Sequence, residues 1–179
     1  PVQWNGRDIF LHLAGAKSGV YVYINGQEVG YSEDSKDPAE FIINEYIKPG
    51  KNSLALKIYR WSTGSYLECQ DFWRLSGIER DVFLWSQPKV AVKDFRVIST
   101  LDETYTDGIF SLSVDVRNTS SKTENVSVRY ELYEGESSRC AGSVKKVNVH
   151  ANSETTIDFS ATIKNVNKWT AETPQLYKV

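Results

Sequence analysis

The sequence predicts an all-β protein of two consecutive domains, and three observations support that prediction. Apolar and polar residues alternate with a period of two through most of the chain, which is typical of strands with one buried face. No stretch repeats apolar residues at helical spacing. Most aromatic residues precede Pro88 and most Ser and Thr residues follow it, so the composition changes where a proline would also end a strand ladder.

The composition is that of a globular protein and excludes several classes of function. The chain has 179 residues, of which 40% are hydrophobic, and its formal net charge is −2. This near balance of charge argues against a nucleic-acid binder, which needs a basic face. No apolar run approaches the roughly 20 residues of a membrane span, and Cys69 and Cys140 are too few and too distant for a disulfide framework or a zinc site. We therefore expect neither nucleic-acid nor membrane partners.

The first domain is predicted to contain a series of strands that ends at a boundary formed by Ser86, Gln87 and Pro88. Asn25-Gly26 is the strongest short hairpin signal in the chain and joins the second predicted strand to the third. Near the end of the series, Leu54, Leu56 and Ile58 share one face of a strand. The predicted strands are 9–13, 19–24, 27–32, 41–43, 53–59 and 80–85.

The second domain continues the same pattern with five strands separated by short loops rich in Ser, Asn and Gly, which suits a compact antiparallel sandwich. Residues 176–179 look like the beginning of a further strand. Because the chain contains no methionine, begins at Pro1 and stops within that strand, we expect it to be a piece of a longer protein. The five predicted strands are 90–99, 108–117, 126–133, 142–149 and 155–163.

One segment, residues 60–82, breaks the alternation and is predicted as a long loop between two strands. It is rich in aromatic, amide and acidic side chains. Long connections without secondary structure are usually functional or disordered, and the aromatic content argues against disorder. Two interpretations stay open: Trp61, Tyr66 and Trp73 fill gaps in the core, or they face a carbohydrate together with the neighbouring acids and amides.

This segment resembles the corresponding loop of β-galactosidases of glycoside hydrolase family 2. The resemblance extends upstream and, more weakly, downstream, so that it covers almost the whole chain. One departure is Cys69, where the best-known members carry an acid. The residues that carry the resemblance are Arg60-Trp61-Ser62-x-Gly64-Ser65-Tyr66-Leu67-Glu68-x-Gln70-Asp71-x-Trp73-Arg74-x-Ser76-Gly77-Ile78-x-Arg80-Asp81-Val82, Asn25-Gly26-x-x-Val29-Gly30-Tyr31, Asp34-Ser35-x-x-Pro38-x-Glu40-Phe41 and Trp169-x-Ala171-Glu172-x-Pro174-x-Leu176-Tyr177.

The resemblance implies a specific fold for each domain. Residues 1–88 would be the C-terminal part of the family's sugar-binding jelly-roll domain, a galactose-binding-like β-sandwich. Residues 89–179 would be the immunoglobulin-like β-sandwich that precedes the catalytic (β/α)8 barrel, with its last strand truncated. The barrel itself would lie outside this chain.

The resemblance also implies that the chain contains no catalytic residue. A retaining glycosidase needs two carboxylates about 5–5.5 Å apart across the scissile bond. Glu68 and Asp71 are candidates by spacing, but in the family both catalytic glutamates come from strands of the barrel. We therefore expect this chain alone to lack glycosidase activity, and we interpret Glu33 and Asp34 as turn or salt-bridge residues.

Asp71 is the residue to which the resemblance gives a binding role. In the family, the acid of the Gln-Asp-x-Trp motif reaches into the barrel's active site, contacts the galactosyl group and helps to hold Na⁺. A carboxylate suits both tasks because it is a hard oxygen ligand and a strong hydrogen-bond acceptor. We expect Asp71 to bind substrate and, with residues of the barrel, Na⁺. Alternatively, Asp71 only caps its own loop by accepting bonds from nearby amides.

The implied function is the non-catalytic N-terminal portion of a β-galactosidase that hydrolyses terminal β-D-galactosyl residues, with the segment Trp61–Trp73 contributing to the active site. Two alternatives stay open: a free-standing carbohydrate-binding or adhesion module, and another family 2 hydrolase such as a β-glucuronidase or β-mannosidase. The expected partners are the β-galactoside, the barrel of the same chain and further copies in a homo-oligomer. No cofactor is expected in this chain, whereas the intact enzyme would use Na⁺, with Mg²⁺ as a further candidate. The sequence does not decide between bacterial cytoplasm and periplasm.

Overall fold

The computed structural model describes residues 1–68, 71, 73–135 and 138–179, and strands make up most of it, which confirms the all-β prediction. The chain divides into two compact units, Pro1–Pro88 and Lys89–Val179. Among the described residues, no helix is long and apolar enough to cross a membrane.

A short 3-10 turn at Val2–Trp4 precedes the first strand. The elements in chain order are β1 Asp8–Leu13, β2 Ala16–Lys17, β3 Gly19–Ile24, β4 Gln27–Glu33, β5 Ala39–Ile42, β6 Leu54–Tyr59, α1 Thr63–Glu68, β7 Gly77–Ile78, β8 Val82–Gln87, β9 Val90–Leu101, β10 Gly108–Asn118, β11 Glu124–Glu134, β12 Ser138–Val149, β13 Ser153–Ile163 and β14 Tyr177–Lys178.

Two three-stranded antiparallel sheets form the sandwich of the first unit. In one sheet β1 lies between β5 and β8, and in the other β3 lies between β4 and β6. Side chains on a strand alternate between its two faces, so alternate residues of β1 and β3 supply most of the core. The buried core residues are Leu11, Leu13, Ala16, Val20, Val22, Ile24 and Ile43.

The predicted hairpin at Asn25-Gly26 is confirmed. Both residues have positive φ, 52° for Asn25 and 82° for Gly26, the left-handed backbone that a two-residue type I′ loop requires. The Nδ2 of Asn25 donates to the carbonyl oxygen of Tyr46 and to Oδ1 of Asn52, at 2.8 Å each. Its Oδ1 accepts from the backbone nitrogen of Ser53 at 3.1 Å. One side chain therefore ties the hairpin to the loop that leads into β6.

The second unit is also an antiparallel sandwich, built from longer strands. β10 lies between β13 and β9, and β11 lies between β12 and β14. Every second residue of β10 is buried, so the alternation seen in the sequence corresponds to an inner and an outer face. The buried core residues are Phe110, Leu112, Val114, Val116, Tyr130, Leu132, Val149, Ile157 and Phe159.

Segment 60–82 differs from the predicted loop because it contains a short helix and a short strand. Thr63–Glu68 forms α1, and β7 pairs with β2, with Ala16 opposite Ile78. Neither element is long enough to produce a periodic pattern of apolar residues. The last strand of the unit also begins at Val82, two residues later than predicted, because residues 80 and 81 lie outside the β1–β8 ladder.

Candidate functional site

The start of segment 60–82 is anchored by three serine hydroxyl groups. Ser18 and Ser65 are buried, and Oγ of Ser65 donates to Oγ of Ser18 at 2.7 Å. The Oγ atoms of Ser18 and Ser62 lie 2.9 Å apart, and the backbone nitrogen of Ser62 donates to Oγ of Ser65 at 2.9 Å. Because Ser18 directly precedes β3, these bonds fix the start of α1 to the first sandwich.

Two carboxylates, one in α1 and one outside it, also hold α1 in place. Oε2 of Glu33 accepts from the backbone nitrogen of Gly64 at 2.7 Å. Both carboxylate oxygens of Glu68 lie 3.2 Å from the backbone nitrogen of Ser35, which donates to them. A Cβ at Gly64 would lie 3.1 Å from Oε1 of Glu68 and 3.2 Å from Oε2 of Glu33, so glycine lets both carboxylates approach. Hydrogen bonds to ionised groups are stronger than neutral ones, and these two therefore act as anchors.

The interpretation of Glu33 and Asp34 holds for one of the two residues. Oδ1 of Asp34 accepts from the backbone nitrogens of Asp37 and Lys36, at 3.0 and 2.9 Å, and these bonds lower the pKa of its carboxyl. Asp34 is therefore a turn residue, as expected. Glu33 instead reaches α1, a contact over 31 positions that no local pattern in the sequence indicates.

The far end of the segment is anchored by Lys17, which is buried. Its Nζ donates to the carbonyl oxygen of Trp73 at 2.6 Å, and its backbone pairs with Gly77 in the β2–β7 ladder. A buried ammonium group is costly unless acceptors surround it, so this bond links the stability of the strand to the position of the segment. Sequence reasoning missed Lys17 because a two-residue strand leaves no alternation.

Three aromatic side chains of the segment, those of Trp61, Tyr66 and Trp73, are exposed, which contradicts the interpretation that they fill gaps in the core. The exposed fractions are 50% for Trp61, 84% for Tyr66 and 76% for Trp73. The guanidinium carbons of Arg60 and Arg74 lie 5.6 and 5.8 Å from the ring centroid of Trp61, within the range of cation–π attraction. Exposed aromatic surface of this kind is typical of an interaction site.

Asp71 lies on this segment and is exposed. Its carboxylate has no hydrogen-bond or ion-pair partner among the other residues that the structure describes. Cys69, the departure from the family pattern, and Gln70, part of the motif, lie outside the described residues. A carboxylate that accepts no bond from the described part of the chain keeps those lone pairs for a ligand.

A metal ion would need more ligands than Asp71 provides. The described part of the chain brings together no group of three or more His, Cys, Asp or Glu side chains that could hold a metal ion. Asp71 suits a hard cation as one oxygen donor, and the remaining donors would have to come from another part of the protein.

Comparison with known proteins matches the whole chain to one family. Residues 1–88 match the family model described as "Glycosyl hydrolases family 2, sugar binding domain", and residues 90–179 match the model described as "Glycosyl hydrolases family 2". The β-galactosidase of Priestia megaterium (strain DSM 319 / IMG 1521) is 42% identical over 176 residues, which is 98% of this chain. That of Halalkalibacterium halodurans is 37% identical over 179 residues, the whole of this chain. The chain spans 17% of the length of each of these two relatives.

Solved structures show the same fold. A Bacteroides uniformis β-glucuronidase superimposes with a TM-score of 0.85 at 21% identity, covering 99% of this chain and 22% of that chain. A β-glucuronidase from Ruminococcus gnavus superimposes with a TM-score of 0.75 at 23% identity, covering 99% of this chain and 30% of that chain. At such identities the likeness concerns the fold and not the substrate.

Proposed function

Because this chain belongs to glycoside hydrolase family 2, we propose that it is the non-catalytic part of a β-galactosidase that hydrolyses terminal β-D-galactosyl residues with retention of configuration. Two relatives named β-galactosidase, at 42% and 37% identity, support this substrate. The partners in this proposal are a catalytic (β/α)8 barrel in the same protein and further copies in a homo-oligomer. The chain spans 17% of those relatives, so the reaction is a property of the larger protein.

The single observation that carries the proposal is that segment 60–82 is anchored to the sandwich and carries the exposed Asp71. Ser65, Glu33 and Lys17 hold this segment to the sandwich through residues at both of its ends. Rigid placement of a binding group reduces the entropy lost when substrate binds. The role of the chain in this proposal is therefore to hold Asp71 at a fixed position beside a site that other residues complete.

Asp71 would bind the galactosyl group by accepting hydrogen bonds from its hydroxyls. A charge-assisted hydrogen bond of this kind is short and directional, so it would orient the sugar for attack at the anomeric carbon. The same carboxylate would supply one oxygen ligand to Na⁺, and Mg²⁺ is a further candidate ion of the whole enzyme. A bound cation would add positive charge beside the sugar hydroxyls and fix their orientation.

The acid and nucleophile would come from outside this chain. A retaining mechanism needs two carboxylates about 5–5.5 Å apart, one of them protonated. Glu68, the acid nearest to Asp71 in the sequence, accepts from the backbone nitrogen of Ser35 with both oxygens and serves to hold α1. This arrangement supports a positioning role for Glu68.

The proposal is tested on the whole protein that carries this chain. Hydrolysis of 4-nitrophenyl β-D-galactoside is compared with hydrolysis of the corresponding β-D-glucuronide and β-D-mannoside, and the first-released anomer is followed by NMR. We expect the galactoside to be the preferred substrate by kcat/KM and β-galactose to appear first, because a retaining enzyme inverts the anomeric centre twice.

Each alternative has its own outcome in this assay. Preference for the glucuronide or the mannoside would replace β-galactosidase by another activity of the family. Binding of glycans without turnover of any of the three substrates would support a free-standing carbohydrate-binding or adhesion module instead.

A further inference from the structure

The outer face of the β4–β3–β6 sheet carries a cluster of tyrosines that the sandwich does not need for its core. Val20, Val22 and Ile24 of β3 point inward, so Tyr21 lies on the opposite face. The ladder places Tyr31 on one side of Tyr21 and Lys57 on the other. Tyr59 lies two pairs further along and therefore on the same face, opposite Gly19. We call Tyr21, Tyr31, Tyr59 and Lys57 the tyrosine face.

The rings of the tyrosine face contact one another and remain accessible. The ring centroid of Tyr21 lies 4.4 Å from that of Tyr31 and 5.9 Å from that of Tyr59. Tyr31 is 41% exposed and Tyr59 is 40% exposed. Nζ of Lys57 lies 4.9 Å from the ring centroid of Tyr59. The tyrosine face is thus an aromatic surface of three rings with the ammonium group of Lys57 at its edge.

Tyr31 is held in place by two features. A Cβ at Gly19 would lie 2.7 Å from the hydroxyl of Tyr31. The Tyr31 side chain therefore lies over β3 at Gly19, where the absence of a Cβ leaves space for it. Its hydroxyl donates to the carboxylate of Glu33, and this bond raises the pKa of Tyr31 to about 12. Glu33 in turn accepts from Gly64 of α1. The tyrosine face and the segment that carries Asp71 therefore share one anchoring residue.

The chemistry of the face favours a neutral, hydroxyl-rich ligand. Two carboxylates border the face: Glu33 accepts from Tyr31, and Glu28 accepts from Tyr23, which lies two positions after Tyr21 on the same strand. Lys57 is the one ammonium group of the face, so the surface is slightly acidic and does not suit an anionic partner. The faces of aromatic rings carry partial negative charge and attract the C–H groups of a sugar ring. The Tyr21 hydroxyl, which has no partner among the described residues, and the Lys57 ammonium are available to sugar oxygens.

We propose that the tyrosine face binds a neutral oligosaccharide, with sugar rings stacked on Tyr31 and Tyr59 and hydroxyls bonded by Tyr21 and Lys57. The ligand class rests on the proposed function, since the first unit matches a domain described as sugar binding. The site itself consists of different residues from Asp71 and requires no catalysis. A protein surface, such as a second copy of this chain, is the competing occupant.

The test is a titration of the isotopically labelled 179-residue chain with β-1,4-galactotetraose, followed by NMR up to about 20 mM, where a ligand of millimolar affinity approaches saturation. We expect the ring signals of Tyr21, Tyr31 and Tyr59 to shift together. Tyr59→Ala should weaken binding about tenfold, corresponding to the loss of one contact of about 1.4 kcal/mol. Tyr59→Phe should retain binding because it keeps the ring.

A second variant and a control distinguish loss of ring stacking from loss of folding. Gly19→Ala leaves every tyrosine present but displaces the Tyr31 hydroxyl, so it should also weaken binding. Tyr105→Ala removes a tyrosine that is 70% exposed on the second unit and should change nothing. Circular dichroism checks that each variant is folded. Tetragalacturonate, which has the same length with a carboxylate on each unit, should bind more weakly than the neutral tetramer.

Four results would overturn the inference: unshifted tyrosine signals, equal affinity in Tyr59→Ala, tighter binding of tetragalacturonate, or tyrosine signals that respond to protein concentration and not to sugar. The last result would assign the face to a contact between copies. This test measures binding and the test of the proposed function measures turnover. If the whole protein does not hydrolyse β-galactosides but the 179-residue chain binds galactotetraose, only the proposed function is rejected. If the whole protein hydrolyses β-galactosides but the chain does not bind galactotetraose, only the inference about the tyrosine face is rejected.

Discussion

At the scale of single residues, the acidic side chains in segment 60–82 and in contact with it differ in their hydrogen bonds. Glu33 and Glu68 accept hydrogen bonds from backbone nitrogens of Gly64 and Ser35, whereas Asp71 accepts none from the other residues described. Removing an acceptor leaves a backbone donor unpaired, which costs stability. Removing Asp71 leaves those bonds intact. Substitutions should therefore separate effects on stability from effects on substrate binding.

In the whole enzyme, Asp71→Ala should lower kcat/KM for 4-nitrophenyl β-D-galactoside by roughly 10- to 100-fold, the effect of losing one hydrogen bond to a charged group. The midpoint of thermal unfolding should stay within about 1 °C of the wild type, as expected for a surface substitution. Asp71→Asn should weaken the dependence of activity on Na⁺, because an amide oxygen carries no net charge. Full activity with an unchanged Na⁺ response in both variants would favour the loop-capping role.

Glu68→Gln is the matched contrast, because it keeps the shape of the side chain and removes its charge. The bond to Ser35 would become a neutral one, and we expect a loss of about 1 kcal/mol in the free energy of unfolding. Urea unfolding of the 179-residue chain measures this loss. If Glu68→Gln is as stable as the wild type but impairs substrate binding directly, Glu68 belongs to the site and not to its support.

The sequence allowed Asp71 to be singled out only through the resemblance of its motif, because a lone exposed acid has no pattern of its own. The anchors Glu33 and Lys17 could not be predicted. Their partners, Gly64 and Trp73, lie 31 and 56 positions away, and such pairings are set by the packing of the sandwich.

At the scale of elements, the connection between β9 and β10 is organised by Asp102 and Asp107. Thr104 Oγ1 donates to Asp102 at 2.6 Å, and the backbone nitrogens of Asp107 and Thr106 also donate to it. The ammonium of Lys164 donates to Asp107. These contacts lower the pKa of both carboxyls, chiefly through Thr104 for Asp102 and through Lys164 for Asp107.

A lowered carboxyl pKa gives this connection a predictable dependence on pH. The stabilisation is complete above the unfolded-state pKa of about 4 and is lost as the pH falls through the lower folded-state value. The thermal midpoint of Asp107→Asn should therefore fall less between about pH 5 and pH 2.5 than that of the wild type. Thermal melts across this range measure the difference. Glu103→Gln, an exposed residue of the same connection, serves as the control and should follow the wild type.

Strands with a long alternation of apolar and polar residues were predicted closely, whereas the short elements of segment 60–82 were not. The prediction for β3 matches its observed bounds, and β10 exceeds its prediction by one residue, because in both a regular inner face is packed against a core. Helix α1 could not be predicted because its position depends on hydrogen bonds that Ser65 and Gly64 donate to Ser18 and Glu33, which lie outside the helix.

At the scale of the whole molecule, each of the two units has its own hydrophobic core and a separate antiparallel sandwich. In the proposed function both catalytic carboxylates lie outside these two units, and Glu68 is bound to the backbone of Ser35. We therefore expect the 179-residue chain, folded by circular dichroism, to show no turnover of 4-nitrophenyl β-D-galactoside above a buffer blank. The whole protein assayed in parallel is the positive control. Turnover by the chain that disappears in a Glu68→Gln, Asp71→Asn double variant would place catalysis within this chain.

The hairpin at Asn25-Gly26 has a consequence for how the molecule ages in storage. An Asn followed by Gly is chemically labile, because the glycine nitrogen can attack the side-chain amide and release ammonia. Here the Nδ2 of Asn25 is held by Tyr46 and Asn52, and Oδ1 is held by Ser53, which restrains the rotation that the attack requires. Folded protein should therefore resist deamidation far longer than unfolded chain. When deamidation does occur, the net charge becomes one unit more negative than −2, so isoelectric focusing can follow the fraction of damaged molecules.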